Sequence, residues 1–538
     1  MLKSRAGWMK QGGFAAGFFA VLTAVAAAAV PVVDVLPPSL LDAAKRWRVD
    51  PSAVTIAVIP LRNVDMMPGV GIGDAKPLLT INADRPVSPA STVKLVTTLA
   101  GLELLGTNFR WTTGFYGDSR PDKDGRIQTL YIRGGGDATF VVEELQMALD
   151  RLSQLGIRHI LGNIVIDRSA FNLPKGDPGA FDGRASRPYN VLPDAALLNY
   201  RNLSFEFVPE TGKNYARVVT VPKLAGVTVP ATIRLKKGRC GDWKTAIGYE
   251  IAAKSDGTKR VRFRGALPSA CGPKNFNVIS FDENEYAERL IRNLWVRDGR
   301  TWQGKVVSGS VSTTAERLAV HFSEPLADNT VLVNKWSNNL IARHVFLSLG
   351  TVRVKAEEEA KRLREIETVP ANEKTPSAFS ENGRQPLVFS RGVTPDDARN
   401  VLSSWLAENG IDDKAIWIDN GSGLSRTTRT TARVMAEVLA LGWKSSVMPE
   451  YMASLPVTGV DGTMAKRKVA VKYGHIKTGY LSDVRSIGGY IHAENGERYA
   501  LFASVHGEKN MPGGIAFLNQ VIEWLYRYPA EKPRTERP

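Results

Sequence analysis

Histidine is scarce in this chain, six in 538 residues, and none of the six (His159, His321, His344, His475, His492, His506) lies in a Gly-x-Ser-x-Gly elbow or a His-Glu-x-x-His pair. A histidine-based triad and a zincin-type metal helix are therefore unsupported by any motif. Cysteine is rarer still, with only Cys240 and Cys271, 31 positions apart. An even pair fits one disulfide if the chain meets an oxidising compartment, and closing such a loop would stabilise by about 3–4 kcal/mol; two free buried thiols are the alternative. There is no repeat of solenoid period. The Lys/Arg residues form no dense run interleaved with aromatics, which argues against nucleic acid as a partner despite a net charge of +16.

What is present begins at the N-terminus. Lys3, Arg5 and Lys10 precede an apolar stretch from Phe14 to Val33 that ends in small residues, "AVAAAAVP". That order reads as an export signal over residues 1–29, with an uncleaved membrane anchor as the competing reading. Either places the remainder outside the cytoplasm, where its excess charge of +13 would face anionic lipid or an anionic wall polymer. The length implies two to four domains.

Along the chain, a helix is expected at 39–47, an alternating strand at 53–61, a helix at 141–155 and a strand at 160–171. Residues 201–274 read as a small all-β module, with helices at 284–299 and 337–350. A polar segment at 355–386 reads as a mobile surface insertion. "SIGGYIHA" and "RYALFASVHG" flank an Asn-Gly turn and predict a hairpin, and a helix follows at 515–528.

"PASTVKLVTTLAGLELLG" (89–106) sets Ser91 three residues before Lys94 at the front of an apolar helical run. On a helix these two share a face, so the amine can reach the hydroxyl. Ser91 could equally be a helix cap followed by a surface lysine. A serine needs a base, and a lysine becomes one only if burial or a second cation lowers its pKa from about 10.4. "HIKTGYLS" supplies such a cation in Lys477, followed by Thr478, Gly479 and Tyr480; strand alternation points Lys477 and Thr478 to opposite faces. "KWSNNLIARH" adds Ser337 and Asn339 at a loop-to-helix junction. Ser-x-x-Lys should arise by chance roughly once or twice in such a chain. A second Ser-x-Asn, Ser380–Asn382, sits in the polar insertion and is read as a decoy.

Ser-x-x-Lys, Ser-x-Asn and Lys-Thr-Gly, in that order, resemble the motif set of the penicillin-binding proteins. "PASTVKL", "SNNLIAR", "DNGSGLSR", "LPVTGVDGTM" and "KTGYL", with "GGGDA" and "PYNVLPDAALLNY", are similar to the class C, type 4 group, the D-alanyl-D-alanine carboxypeptidase/endopeptidases of serine peptidase family S13. The resemblance implies an α+β fold in which an antiparallel sheet flanked by helices (30–110 and 320–538) is interrupted by an inserted domain (111–200 and 275–319). A nested β domain (201–274) would carry Cys240–Cys271. It further implies that Ser91 attacks the carbonyl between two D-alanines while Lys94 takes its proton. Ser337 would relay that proton to the leaving group, and Asn339 would hold Lys94 and the substrate. Lys477, Thr478 and Gly479 would line the carboxylate site, and the amides of Ser91 and Tyr480 would form an oxyanion hole. No cofactor or metal is called for. Implied partners are peptidoglycan stem peptides ending in D-Ala-D-Ala and β-lactams as covalent inhibitors, in the periplasm, with peripheral membrane association left open. Three features depart from the family pattern: Tyr480 where threonine is common, Ala138 in place of a proline, and the 355–386 segment, which has no counterpart. A serine β-lactamase and a non-catalytic peptidoglycan-binding protein of the same fold are the alternatives.

Overall fold

The computed structural model describes residues 34–65, 72–367 and 391–528. The expected signal segment and the Ser380–Asn382 decoy lie outside them. Among the described residues no helix is long and apolar enough to cross a membrane.

The site is built on a five-stranded antiparallel sheet, ordered Gly474–Leu481, Val484–His492, Arg498–His506, Val54–Pro60, Leu79–Ile81. The expected alternation at 53–61 is absent in burial, because all seven residues of Val54–Pro60 are buried. Helices cover both faces, so the strand is buried throughout and apolar except for Thr55, whose hydroxyl meets Ser504 Oγ at 2.6 Å. Ile56 and Val58 pack with Leu40, Phe517 and Val521 of the helices Pro38–Arg46 and Met511–Tyr526. Ala57 and Ile59 join Leu95, Leu99, Phe346 and Val438 on the other side, where the helices Lys94–Leu104, Asn339–Glu367 and Ala432–Lys444 lie. The Asn-Gly hairpin forms in full register from Val484↔His506 to His492↔Arg498.

Between the serine segment and the Asn339 helix, the chain builds a second sheet. Its order is Val306–Ser308, Ile164–Asp167, Leu130–Gly134, Thr112–Gly117, Glu316–Phe322, and it is backed by the helices Val142–Gln154 and Glu283–Trp295. The strand expected at 160–171 is two short ones, His159–Ile160 and Ile164–Asp167, which join different sheets. Gly162 marks the break, where a Cβ would lie 2.7 Å from the Gln128 carbonyl.

Residues 203–278 form two facing sheets. One holds Leu203–Pro209, Tyr215–Val221, Thr232–Lys236, Leu267–Pro268 and Lys274–Val278; the other holds Val227–Thr228, Ile247–Ala253 and Lys259–Gly265. Phe205 and Phe207 meet Phe263 edge-on between the sheets, at 5.0 and 5.3 Å, and Cys240 is disulfide-bonded to Cys271.

The polar insertion needs one correction. Residues 355–367 continue the helix Asn339–Glu367. Their Ala, Glu, Lys, Arg and Leu content favours helix, and Arg353 pairs with Glu357 one turn on at 2.9 Å. Glu357 and Asp397 then hold Arg391, where the described chain resumes. The rest of the segment, 368–386, lies outside the described residues.

Candidate active site

Ser91 lies in a 3-10 turn, Ala90–Val93, that runs into the helix Lys94–Leu104. It caps nothing: neither helical segment has a side-chain cap. Ala90, just before it, holds φ +49°, and Ser337 holds φ +59°. Left-handed backbone at non-glycine residues costs about 1–3 kcal/mol each and persists only where surroundings impose it. Here it falls just before one of the serines picked out by the motifs and on the other itself.

Lys94 is fully buried. Its Nζ lies 3.1 Å from Ser91 Oγ, 2.7 Å from Asn339 Oδ1 and 2.5 Å from the Ser422 carbonyl. Two of these neighbours can only accept. Lys94 Nζ donates to all three, and of the three only the Ser91 hydroxyl is also able to donate back to a neutral amine. Burial, then the nearby Lys477 ammonium, then the Arg343 guanidinium hold the Lys94 pKa well below the ordinary lysine value. These are the two causes that a lysine base requires.

Lys477 is also fully buried, in the sheet-edge strand Gly474–Leu481. Its Nζ donates to Ser337 Oγ at 3.0 Å and to the Thr478 carbonyl at 2.8 Å, and burial pushes its pKa down to about 7. Thr478 points away, its Oγ1 donating to Thr463 Oγ1 at 2.9 Å. The strand passes so close to the serine turn that a Cβ on Gly479 would sit 2.1 Å from Ser486 Oγ and 2.8 Å from the Pro89 carbonyl. Ser486 Oγ donates to that carbonyl at 2.7 Å, tying sheet to turn. The Tyr480 side chain is exposed and lies under the Arg485 guanidinium, 3.5 Å from the ring centroid.

The structure thus gathers two hydrogen-bonded groups, Ser91–Lys94–Asn339 and Ser337–Lys477, close enough that the Lys477 charge acts on Lys94, with Gly479 against the serine turn. Ser422, Arg343 and Ser486 were missed as site residues. Ser422 had a signal in "DNGSGLSR": Gly421 and Gly423 hold φ +71° and +77°, and a Cβ on Gly423 would come within 1.9 Å of the Ala90 carbonyl. Asn420 Oδ1 receives the Ser422 amide and hydroxyl at 3.1 and 2.8 Å, fixing the carbonyl that Lys94 uses. Arg343 stands one turn beyond Asn339 and donates to the Val191 carbonyl at 2.9 Å. Beside it a cavity of about 570 Å³ opens between Phe346, Asp419 and Asn420 on one side and Phe171, Leu192 and Asp194 on the other. No histidine bonds Ser91; the buried His344 instead contacts the Gly136 carbonyl at 2.7 Å.

Residues 67–368 and 382–524 match the D-Ala-D-Ala carboxypeptidase 3 (S13) family. The D-alanyl-D-alanine carboxypeptidase of Actinomadura sp. (strain R39) is 25% identical over 466 residues, 82% of this chain and 77% of that protein. The D-alanyl-D-alanine carboxypeptidase DacB of Haemophilus influenzae is 24% identical over 426 residues, 78% of this chain and 80% of its own. The crystal structure of penicillin binding protein 4 from Haemophilus influenzae superposes with a TM-score of 0.66 at 20% identity, covering 91% of this chain and 99% of that one.

Proposed function

Because the chain belongs to the D-Ala-D-Ala carboxypeptidase 3 (S13) family, a group of serine-type peptidases acting on peptidoglycan, we propose that Ser91 is its nucleophile and Lys94 its general base. The observation that carries this reading is the buried Lys94 amine, bonded to Ser91 Oγ at 3.1 Å and to Asn339 and Ser422, with its pKa held well below the ordinary lysine value. Ser91 Oγ attacks the carbonyl between two D-alanines and its proton passes to Lys94. The backbone N–H groups of Ser91 and Tyr480 receive the developing oxyanion. Lys477, bonded to Ser337 Oγ, supplies positive charge for the substrate's terminal carboxylate, and Ser337 carries a proton to the leaving D-alanine. Water, deprotonated by Lys94, then cleaves the ester. A β-lactam acylates Ser91 by the same attack, but its leaving nitrogen stays tethered in the adduct. We assign endopeptidase cleavage of cross-links to the same centre, and an export role to residues 1–29 that delivers the enzyme to the periplasm.

A β-lactamase needs fast deacylation, and Lys94 is bonded to Ser91, Asn339 and Ser422 rather than to a carboxylate. A non-catalytic binder would gain nothing from a buried lysine, its pKa held well below the ordinary value, bonded to a serine hydroxyl. Fluorescent penicillin tests the assignment: wild type forms a covalent adduct, and Ser91→Ala loses it. Adduct persisting in the variant refutes Ser91 as the nucleophile. Digestion of purified peptidoglycan then reads out the products, free D-alanine for carboxypeptidase and uncross-linked monomers for endopeptidase action.

A further inference from the structure

Charge is unevenly shared along this chain. Residues 201–274 hold fifteen Lys/Arg against five Asp/Glu, a net +10 of the whole chain's +16. Twelve of those fifteen cations are exposed. In sequence they look dispersed, but strand geometry collects them. Arg260, Arg262 and Arg264 alternate along Lys259–Gly265 and are all exposed, while Val261 and Phe263 between them face inward. Side chains two apart on one strand face stand about 7 Å from one another, so the three guanidinium groups form a row. Across the ladder they face Ala252, Glu250 and Gly248. Glu250 pairs with Arg264 at 3.0 Å, and among the described residues no carboxylate is in ion-pair range of Arg260 or Arg262. The other sheet exposes Arg217, Arg234 and Lys236 on its outer side. Exposed Lys237 and Arg239 follow in the loop that the Cys240–Cys271 bridge pins down.

Like charges in such excess on a small module repel one another and destabilise it; inside the module Glu250 pairs with Arg264 and Glu210 with Arg217, leaving most of the exposed cations uncompensated. We propose that this two-sheet module is a docking surface for a linear, flexible polyanion of repeating phosphate groups, which it holds along its arginine rows. Guanidinium forks match phosphate oxygens two at a time and shed water more readily than ammonium groups. The placement of charge selects a polymer over a bilayer. Cations cover both outer faces of the sandwich, and a flat membrane can touch only one, whereas a flexible strand can follow both. The arginine row is flanked by Gly248 and Ala252, with no aromatic anchor of the kind that seats a protein in a lipid interface. None of these residues belongs to the Ser91 site, so the inference stands apart from the peptidase reading.

The test uses the full chain and linear polyphosphate as probe, with anionic phosphatidylglycerol vesicles and neutral dextran as comparisons. Expected is polyphosphate binding that weakens as salt rises, with no retention by dextran. Arg260→Glu combined with Arg262→Glu should lower the affinity at least about tenfold and flatten the salt dependence. Both positions are exposed, so fluorescent-penicillin labelling should be unchanged and will report that the variant is folded. The proposal is overturned if wild type fails to bind polyphosphate at low salt, if the folded variant binds as well as wild type, or if vesicles are bound in preference to the polymer.

Discussion

A lysine amine in water keeps its proton until about pH 10.4, so the behaviour of this site turns on what surrounds two of them. Three groups act on Lys94: its own burial, Lys477 from the edge strand and Arg343 from the helix that begins at Asn339. Acylation needs neutral Lys94, so its rate should rise with pH through the depressed Lys94 value. Arg343→Met removes a cation and lets Lys94 hold its proton more tightly, which should move that rising limb to higher pH. Arg343→Lys should restore it. The pH profile of penicillin acylation checks both. Lys477, at about 7, works oppositely because it must be charged to attract a carboxylate. KM for peptides with a free C-terminus should therefore rise above about pH 7, while an amidated C-terminus should show no such rise. The same group affects stability. Between about 7 and the ordinary value of 10.5 the unfolded chain carries a proton that the folded one does not. Its contribution thus grows more favourable as pH rises across that window and is least favourable below it; thermal melts of wild type against Lys477→Met will show it. Ser91→Ala should cut turnover by at least about a thousandfold with an unchanged melt.

At the scale of elements, the serine turn and the Lys-Thr-Gly strand work because one glycine lets them meet. Gly479→Ala places a methyl where Ser486 Oγ and the Pro89 carbonyl already sit. It should push the strand off the turn, reducing penicillin labelling well before the protein unfolds; circular dichroism beside gel labelling separates the two effects. Much of this level was legible beforehand. Helical periodicity marked Leu95, Leu99, Leu102 and Leu105, of which the first three are fully buried and Leu105 half-buried, and the Asn-Gly signal placed the hairpin because turn chemistry is local. The order of three short motifs picked out Ser91, Lys94, Ser337, Asn339 and Lys477. What could not be seen depends on distant backbone. The Ser422 carbonyl has no side-chain signature, and Arg343 reads as an ordinary helix-surface cation until Val191 is found against it. The acidic and basic stretch after residue 355 suggested a loop because composition alone does not report that its charges pair one turn apart. Alternation in sequence also misled at Val54–Pro60, where a sheet covered on both faces leaves no outer side.

Across the whole molecule, the described residues share three main apolar cores, one on each face of the central sheet and one running through residues 115–319. That third core links the small β module to the helix Glu283–Trp295, with Phe205, Val261 and Leu290 in one cluster. Reducing the Cys240–Cys271 bridge should lower stability by about 3–4 kcal/mol on the loop-entropy argument. A melt of wild type against Cys240→Ser/Cys271→Ser will measure it, and labelling of Ser91 at low temperature should persist in the variant. The central sheet has a wider consequence. Its Val54–Pro60 strand is paired from Val54↔Val505 to Pro60↔Tyr499, so once made it has no neighbour on that side until more than four hundred further residues have followed it. The helix that follows Ser91 rests on this ladder. The sheet that brings Lys477 to Ser91 can therefore close only after translation has passed the hairpin, because a chain ending before it lacks the two strands that join Val54–Pro60 to Gly474–Leu481.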